Sequence, residues 1–233
     1  MILPQKTKLF KVIAPLILIE NTINNYGAVK IGNGDLLQGT AFSNLLLGEP
    51  GIAALNEMNF DAFVIGNHEF DNGIEELARR LSKATFKTVC ANYDFSGTVC
   101  EGLVKPYTII ERAGKRIGVF GLSPDPKGLI SQENYAGVTF ISPIDAANRC
   151  VAELQTKGCD AIVCLSHLGW RIKNEYNDER LAEETSGIDV IIGGHSHDYF
   201  EQPATYGNSK GGVVIMQQMG KNGRYLGYIN LYF

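Results

Sequence analysis

An α/β fold is predicted by three features of the sequence. Short apolar runs end abruptly at Gly, Asn, Asp or Ser: Val29 to Ile31 before Asn33-Gly34-Asp35, Phe60 to Ile65 before Gly66-Asn67, Ala161 to Leu165 before Ser166-His167, and Val190 to Ile192 before Gly193-Gly194. Segments of helical spacing are interleaved with them, as in Ile74, Leu77, Ala78 and Leu81 after the second run. A 45% hydrophobic content over 233 residues is enough for one large domain with a real core, residues 1–233, and no linker, repeat or low-complexity tract divides it.

In chain order, Lys6, Lys8 and Lys11 precede the apolar stretch Val12 to Ile19. That order resembles a secretion signal, but the run is short, contains Pro15, and no small-x-small cleavage site follows before Glu20-Asn21-Thr22. Leu9, Val12, Ile13, Leu16, Ile17, Ile19 and Ile23 approximate a helical stripe, so a helix is predicted within residues 1–27, packing on the sheet. Were Leu16 to Ile19 a strand, only about eight residues would separate it from Ala28, too few for a helical crossover of at least ~10–12. The run Phe60 to Ile65, the polar loop Gly66 to Gly73 and the following helix make a strand–loop–helix crossover, whose loop would lie at the carboxyl end of a strand, where ligands collect.

Thr88 to Ala91 reads as a strand ending at Asn92. Tyr107 to Arg112 and Arg116 to Leu122 read as a hairpin around Ala113-Gly114. Ser142-Pro143-Ile144-Asp145 opens a helix with a cap, a proline in its first turn and an acid three residues on, and Gly158 closes it. Asp178 to Thr185 reads as a helix before Asp189. After Gly211 come one strand, a turn around Lys221 to Arg224 and a final strand from Tyr225 to Phe233.

The charge balance excludes some classes of function. With 21 basic and 25 acidic residues the net charge is −4, and no Lys/Arg cluster points to nucleic acid. No run reaches the ~18 apolar residues of a membrane span. Five cysteines, Cys90, Cys100, Cys150, Cys159 and Cys164, form no C-x-x-C pair, which speaks against a disulfide framework or zinc ribbon; Cys90 and Cys164 read as core residues.

The four histidines carry the functional signal. A solitary loop histidine is ordinarily a solvated residue or a helix cap, but here His68, His167, His195 and His197 all follow strand-like runs, together with Asp35 and Asn67. One Asp, one Asn and four His at four strand ends is the pattern that metal sites need. Asp71, three residues after His68, is placed to orient that ring. Gly32-Asn33-Gly34 lacks the third glycine of a dinucleotide fingerprint, and no P-loop occurs.

These motifs, Gly34-Asp35 with Gln38-Gly39-Thr40, Gly66-Asn67-His68-Glu69-Phe70-Asp71-Asn72-Gly73, Ser166-His167-Leu168-Gly169 and Gly193-Gly194-His195-Ser196-His197, resemble in order and spacing the calcineurin-like metallophosphoesterases. Residues 28 to 233 are most similar to the catalytic domain of the 5′-nucleotidase and UDP-sugar hydrolase group. The resemblance implies a four-layer αββα sandwich and hydrolysis of phosphate esters, 5′-nucleotides first, by water activated between two divalent ions, for which Zn, Mn, Mg, Co and Fe all remain open. It implies that Asp35 bridges the ions, that Asn67, His167 and His195 complete one shell, and that His197 belongs to the other. His68 is implied to be no ligand but the proton donor, oriented by Asp71, while Glu69 and Phe70 read as structural. The family also places an Asn near Asn92, against which stands the plainer reading of a turn-forming residue.

The family's Asp-x-His motif ahead of Gly34-Asp35 is absent from this sequence, and the expectation is that a first strand and its two ligands are missing. On that expectation the first ion keeps only Asp35 and His197, so the chain binds one ion tightly and turns over slowly. The resemblance further implies a separate nucleoside-binding C-terminal domain, which the sequence does not contain, as a partner. Two other functions stay open: a phosphodiesterase for cyclic or sugar nucleotides, and an inactive or weakly active metal- and phosphate-binding domain. Family resemblance implies a periplasmic or cell-envelope location if an upstream signal was lost, and a cytoplasmic one otherwise.

Overall fold

The computed structural model describes residues 7–13, 16–21, 29–39, 41–173, 175–227 and 229–233. The N-terminal half supplies β1 (Thr7–Ile13), β2 (Leu16–Asn21), β3 (Val29–Gly32), α1 (Ala41–Leu45), α2 (Glu49–Glu57), β4 (Ala62–Val64), α3 (Ile74–Leu81), β5 (Lys87–Val89), β6 (Tyr93–Asp94) and β7 (Val104–Lys105). The C-terminal half supplies β8 (Tyr107–Arg112), β9 (Lys115–Leu122), β10 (Thr139–Phe140), α4 (Pro143–Thr156), β11 (Ala161–Ser166), α5 (Asp178–Glu184), β12 (Val190–Gly193), β13 (Ala204–Gly207), β14 (Val213–Gln217), β15 (Leu226–Gly227) and β16 (Asn230–Tyr232).

Two large sheets result. One has the order β15-β1-β2-β3-β4-β5-β7, with β16 also on β1; the other has the order β13-β14-β12-β11-β9-β8. Strands β3, β4, β5 and β7 run parallel, as do β9, β11, β12 and β14. Such strands are buried on both faces, and their side chains divide with period two between two cores. Ala62 and Val64 face Val163, Leu165, Val190 and Ile192 across the middle of the molecule. Phe63 turns the other way, onto Ile52 and Leu55 of α2 and Ile74 and Leu77 of α3. Likewise Ile162, Cys164 and Ile191 pack outward on Ala147, Val151 and Leu154 of α4 and Leu181 of α5. Helix, sheet, sheet, helix is the four-layer αββα sandwich that the resemblance implies. The sheets approach closely at Gly121, where a Cβ would lie 2.7 Å from the Val64 side chain. Any larger residue there would force them apart.

Most predicted elements are present. The hairpin β8–β9 turns at Ala113 and Gly114, both at positive φ. Ser142 caps α4 by accepting from the Asp145 N–H, and Asn177 caps α5 by accepting from the Arg180 N–H. Two expectations fail. The predicted helix within residues 1–27 is instead the antiparallel pair β1–β2, in register from Lys8 with Asn21 to Ile13 with Leu16; Pro15 and Ile23 lie outside the described residues. A nearly continuous apolar run satisfies helical and strand periods equally, and here its β-branched residues and an available neighbour at β3 select the strand. The objection from crossover length does not apply, because β2 pairs with β3 antiparallel, Leu16 opposite Gly32 and Ile19 opposite Val29. The final strand is also divided, with β15 and β16 each pairing to β1. Among the described residues no helix is long and apolar enough to cross a membrane. All five cysteines are free thiols, and Cys90, Cys100, Cys150 and Cys164 are buried.

Candidate metal centre

The loops that follow β3, β4, β11 and β12 emerge at the carboxyl ends of parallel strands, at one rim of the sandwich. Asp35, His167 and His195 place one donor atom each within 4.8 Å of one another. The His167 and His195 ring centroids are 5.2 Å apart. The pocket is lined by Asn33, Asp35, His167, His195 and His197 and closed on one side by Met219 to Asn222. Asn67 sits at the start of the one-turn 3-10 helix His68–Phe70 that follows β4.

Backbone conformation aims these side chains. Asp35, His195 and His197 have φ of 58°, 65° and 62°, a left-handed region costly for residues with a Cβ. Such conformations persist only where surrounding bonds hold them, and they collect at functional sites. Gly66 leaves space that any side chain would fill, since a Cβ there would lie 2.8 Å from His167 Nε2 and closer still to Asp35 Oδ1.

The donor set fits a divalent cation. His167 Nδ1 donates to the Asn33 carbonyl at 2.7 Å, so in the neutral ring the Nε2 lone pair points toward Asp35 Oδ2, 2.9 Å away. That Nε2 is fully buried, with Asp35 as its ion-pair partner. Asn67 Oδ1 is also buried and has no hydrogen-bond partner. An orphaned buried amide oxygen is unusual in a folded core, and a cation is the kind of partner that satisfies one. Burial, helped by the charge of His167, pushes His195 down to about 4, so it is neutral and free to ligate. His197 is also lowered, by burial and then by Lys221. Burial would raise Asp35, but His167 overrides it and holds the carboxyl well below its usual range. Burial likewise opposes protonation of His167, yet the adjacent Asp35 carries it up to about 9. The proton so held on Nε2 occupies the place that a cation takes, and metal binding displaces it.

His68 stands apart from the triad. Its side chain is 51% exposed at the rim, and Nδ1 donates to Asp71 Oδ2 at 2.8 Å. Desolvation lowers its pKa, but the hydrogen bond and the charges of Asp71 and Asp35 outweigh this and raise it, which favours the imidazolium. The His68 N–H donates to Asp35 Oδ1 at 3.0 Å, tying the two loops together. Asn92 does not line the pocket; its amide donates to Ser123 O at 2.7 Å and accepts from Ser123 N–H at 2.9 Å, joining the ends of β5 and β9. Phe70 is fully buried against Tyr93 and Phe95.

Glu69 does more than fill the core. Its carboxylate, 2% exposed, accepts from Asp35 N–H at 2.8 Å, Leu36 N–H at 2.7 Å, Leu37 N–H at 3.2 Å and Gly66 N–H at 2.6 Å. Burial and the charge of Asp35 raise its pKa against those donors, yet with both oxygens accepting twice the bonding pattern is that of the ion. It therefore fixes the Asp35 and Asn67 loops relative to each other. Only its place inside a polar loop hinted at this, because most of its partners are backbone groups more than 30 residues away.

Residues 9–199 match the family described as Calcineurin-like phosphoesterase. A protein of Treponema pallidum (strain Nichols) named "Probable 5′-nucleotidase" is 35% identical over 221 residues, 88% of this chain and 36% of that one. The crystal structure of a 5′-nucleotidase precursor from Thermus thermophilus superposes with a TM-score of 0.80 at 34% identity, over 87% of this chain and 41% of that one. The Haemophilus influenzae NAD nucleotidase superposes with a TM-score of 0.76 at 26% identity, over 87% and 38%. The chain thus spans well under half the length of these relatives. Its fold, the order of its site motifs and these matches agree, and the chain belongs to the calcineurin-like phosphoesterase family.

Proposed function

We propose that this chain hydrolyses phosphate monoesters of the 5′-nucleotide class at a divalent-metal centre built from Asp35, Asn67, His167 and His195, with His197 beside it. The observation that carries the reading is the convergence of Asp35, His167 and His195 donor atoms within 4.8 Å. When bound, divalent ions withdraw charge from phosphoryl oxygens and make water acidic enough to serve as nucleophile near neutral pH.

The chain's own residues supply the remainder. Asp35 contributes negative charge at the centre and neutral His195 a nitrogen donor. His68, rim-exposed and with its pKa raised by Asp71 and Asp35, donates a proton to the departing alkoxide, the part of the reaction at which negative charge would otherwise accumulate. Asp71 holds the ring through Nδ1, which leaves Nε2 to carry that proton. Among the described residues the close donor triad is single, so we assign one tight ion to it and a looser one to the His197 side. The 5′-nucleotide class is taken from the relatives' names.

The test is hydrolysis of p-nitrophenyl phosphate and a nucleotide panel in the presence of manganese, with metal analysis of the same protein. Manganese-dependent release of phosphate from 5′-nucleotides that His195→Ala abolishes is the expected result. Metal binding without turnover would reduce the chain to a phosphate-binding domain, and faster cleavage of cyclic or sugar nucleotides would reassign the substrate.

A further inference from the structure

His195 and His197 both occupy left-handed backbone conformations, in a loop with no glycine between Gly194 and Phe200 to relax them. Something outside the loop has to hold it. The residue in contact with the loop at three points is Gln218, one position beyond β14 and 1% exposed. Its Nε2 donates to the Gly194 carbonyl at 2.9 Å, just before His195. Its Oε1 accepts from the Ser196 hydroxyl at 3.1 Å, between the two histidines, and from the Asp198 N–H just after His197. Ser196 Oγ in turn accepts from Trp170 N–H at 2.9 Å, which brings in the loop that follows His167. The chain of contacts thus runs from the end of β14 through the β12 loop to the β11 loop.

We propose that Gln218 is a positioning residue for the metal centre, holding His195 and His197 in the conformation that lets them ligate. It touches neither ion nor substrate. The loop offers a carbonyl acceptor on one side and two donors on the other, and a primary amide presents both kinds of atom on one rigid plane. A carboxylate lacks the donor and an apolar side chain lacks both. Loss of the amide removes one of the bonds to Gly194 O and leaves the Asp198 N–H without its acceptor, and the φ values near 60° relax toward ordinary ones with the imidazoles turning away.

The inference rests on the reading of these histidines as metal ligands, and cobalt binding separates the two. Cobalt(II) is titrated into the purified chain, its absorption spectrum and affinity recorded, for the unaltered protein, Gln218→Ala, Ser196→Ala and His195→Ala, with thermal unfolding of each metal-free protein alongside. Gln218→Ala should bind cobalt roughly 10–100-fold more weakly, with an altered spectrum, while its metal-free unfolding remains cooperative. Ser196→Ala, which removes one link of the three, should show a smaller loss in the same direction. If His195→Ala loses cobalt while Gln218→Ala keeps the unaltered affinity and spectrum, the role of Gln218 is refuted and the ligand assignment stands. If His195→Ala binds cobalt as the unaltered protein does, both fall. Should Gln218→Ala fail to fold, Ser196→Ala decides, and an unchanged cobalt affinity in it refutes the proposal.

Discussion

Glu69 and Gln218 hold the two sides of the pocket from behind, and they do so with opposite chemistry. The loops at Asp35 and Gly66 present only N–H groups to their support, four of them, and an anion with two oxygens receives them all. The loop from Gly194 to Asp198 presents a carbonyl and two donors, and a neutral amide matches it. What each loop leaves unpaired thus dictates which buried side chain can support it. The charged support also has an electrostatic consequence: it places a second negative charge behind Asp35, which the neutral support on the far side does not, and so biases the centre toward a cation.

The sharpest way to break this comparison is Glu69→Gln. Whichever oxygen becomes an amino group, two buried N–H donors lose their acceptor, at about 1–3 kcal/mol each. Urea unfolding should therefore show a loss of about 2–6 kcal/mol of stability together with loss of bound metal. A fully stable, metal-loaded Glu69→Gln protein would mean that the charge is dispensable.

The next effect separates roles within the pocket. His68→Asn should lower turnover by about 10²–10⁴-fold with metal content nearly unchanged, whereas His195→Ala should lower the metal content itself. Equal loss of metal in both, measured by elemental analysis, would undo the division between proton donor and ligand.

A smaller effect concerns pH. Asp71 raises the His68 pKa against burial, so Asp71→Asn should let it fall. The proton donor would then be lost at lower pH, and the alkaline limb of the rate profile should move to lower pH while the acid limb, set elsewhere, stays in place. An unmoved limb would assign the acid to another group. Smallest of all, Ser142→Ala removes the α4 cap far from the pocket and should cost about 0.5–2 kcal/mol of stability with no change in metal affinity.

Most of the site was legible because its residues announce themselves locally. His68, His167 and His195 each stand just after an apolar run, and a chain that alternates such runs with helical segments brings strand ends to one rim. The supports were not legible. Glu69 looked structural because its partners are backbone amides, three of them from residues 35 to 37, and Gln218 carries no motif at all, only a place after an apolar strand. Backbone partners leave no mark on the identity of the residue that supplies them.

By itself the sequence determined the α/β class, the four motif loops, the caps at Ser142 and Asn177, and the absence of any long apolar span, since periodicity, capping and turn chemistry act over a few residues. Only tertiary structure decided that the stretch before β3 pairs as strands, that the final strand divides over β1, and that Asp35 and His195 adopt left-handed conformations within ligating reach. An apolar run fits a helix or a strand equally well until a neighbouring edge offers hydrogen bonds, and strain at a residue is stable only when groups distant in the chain meet to hold it.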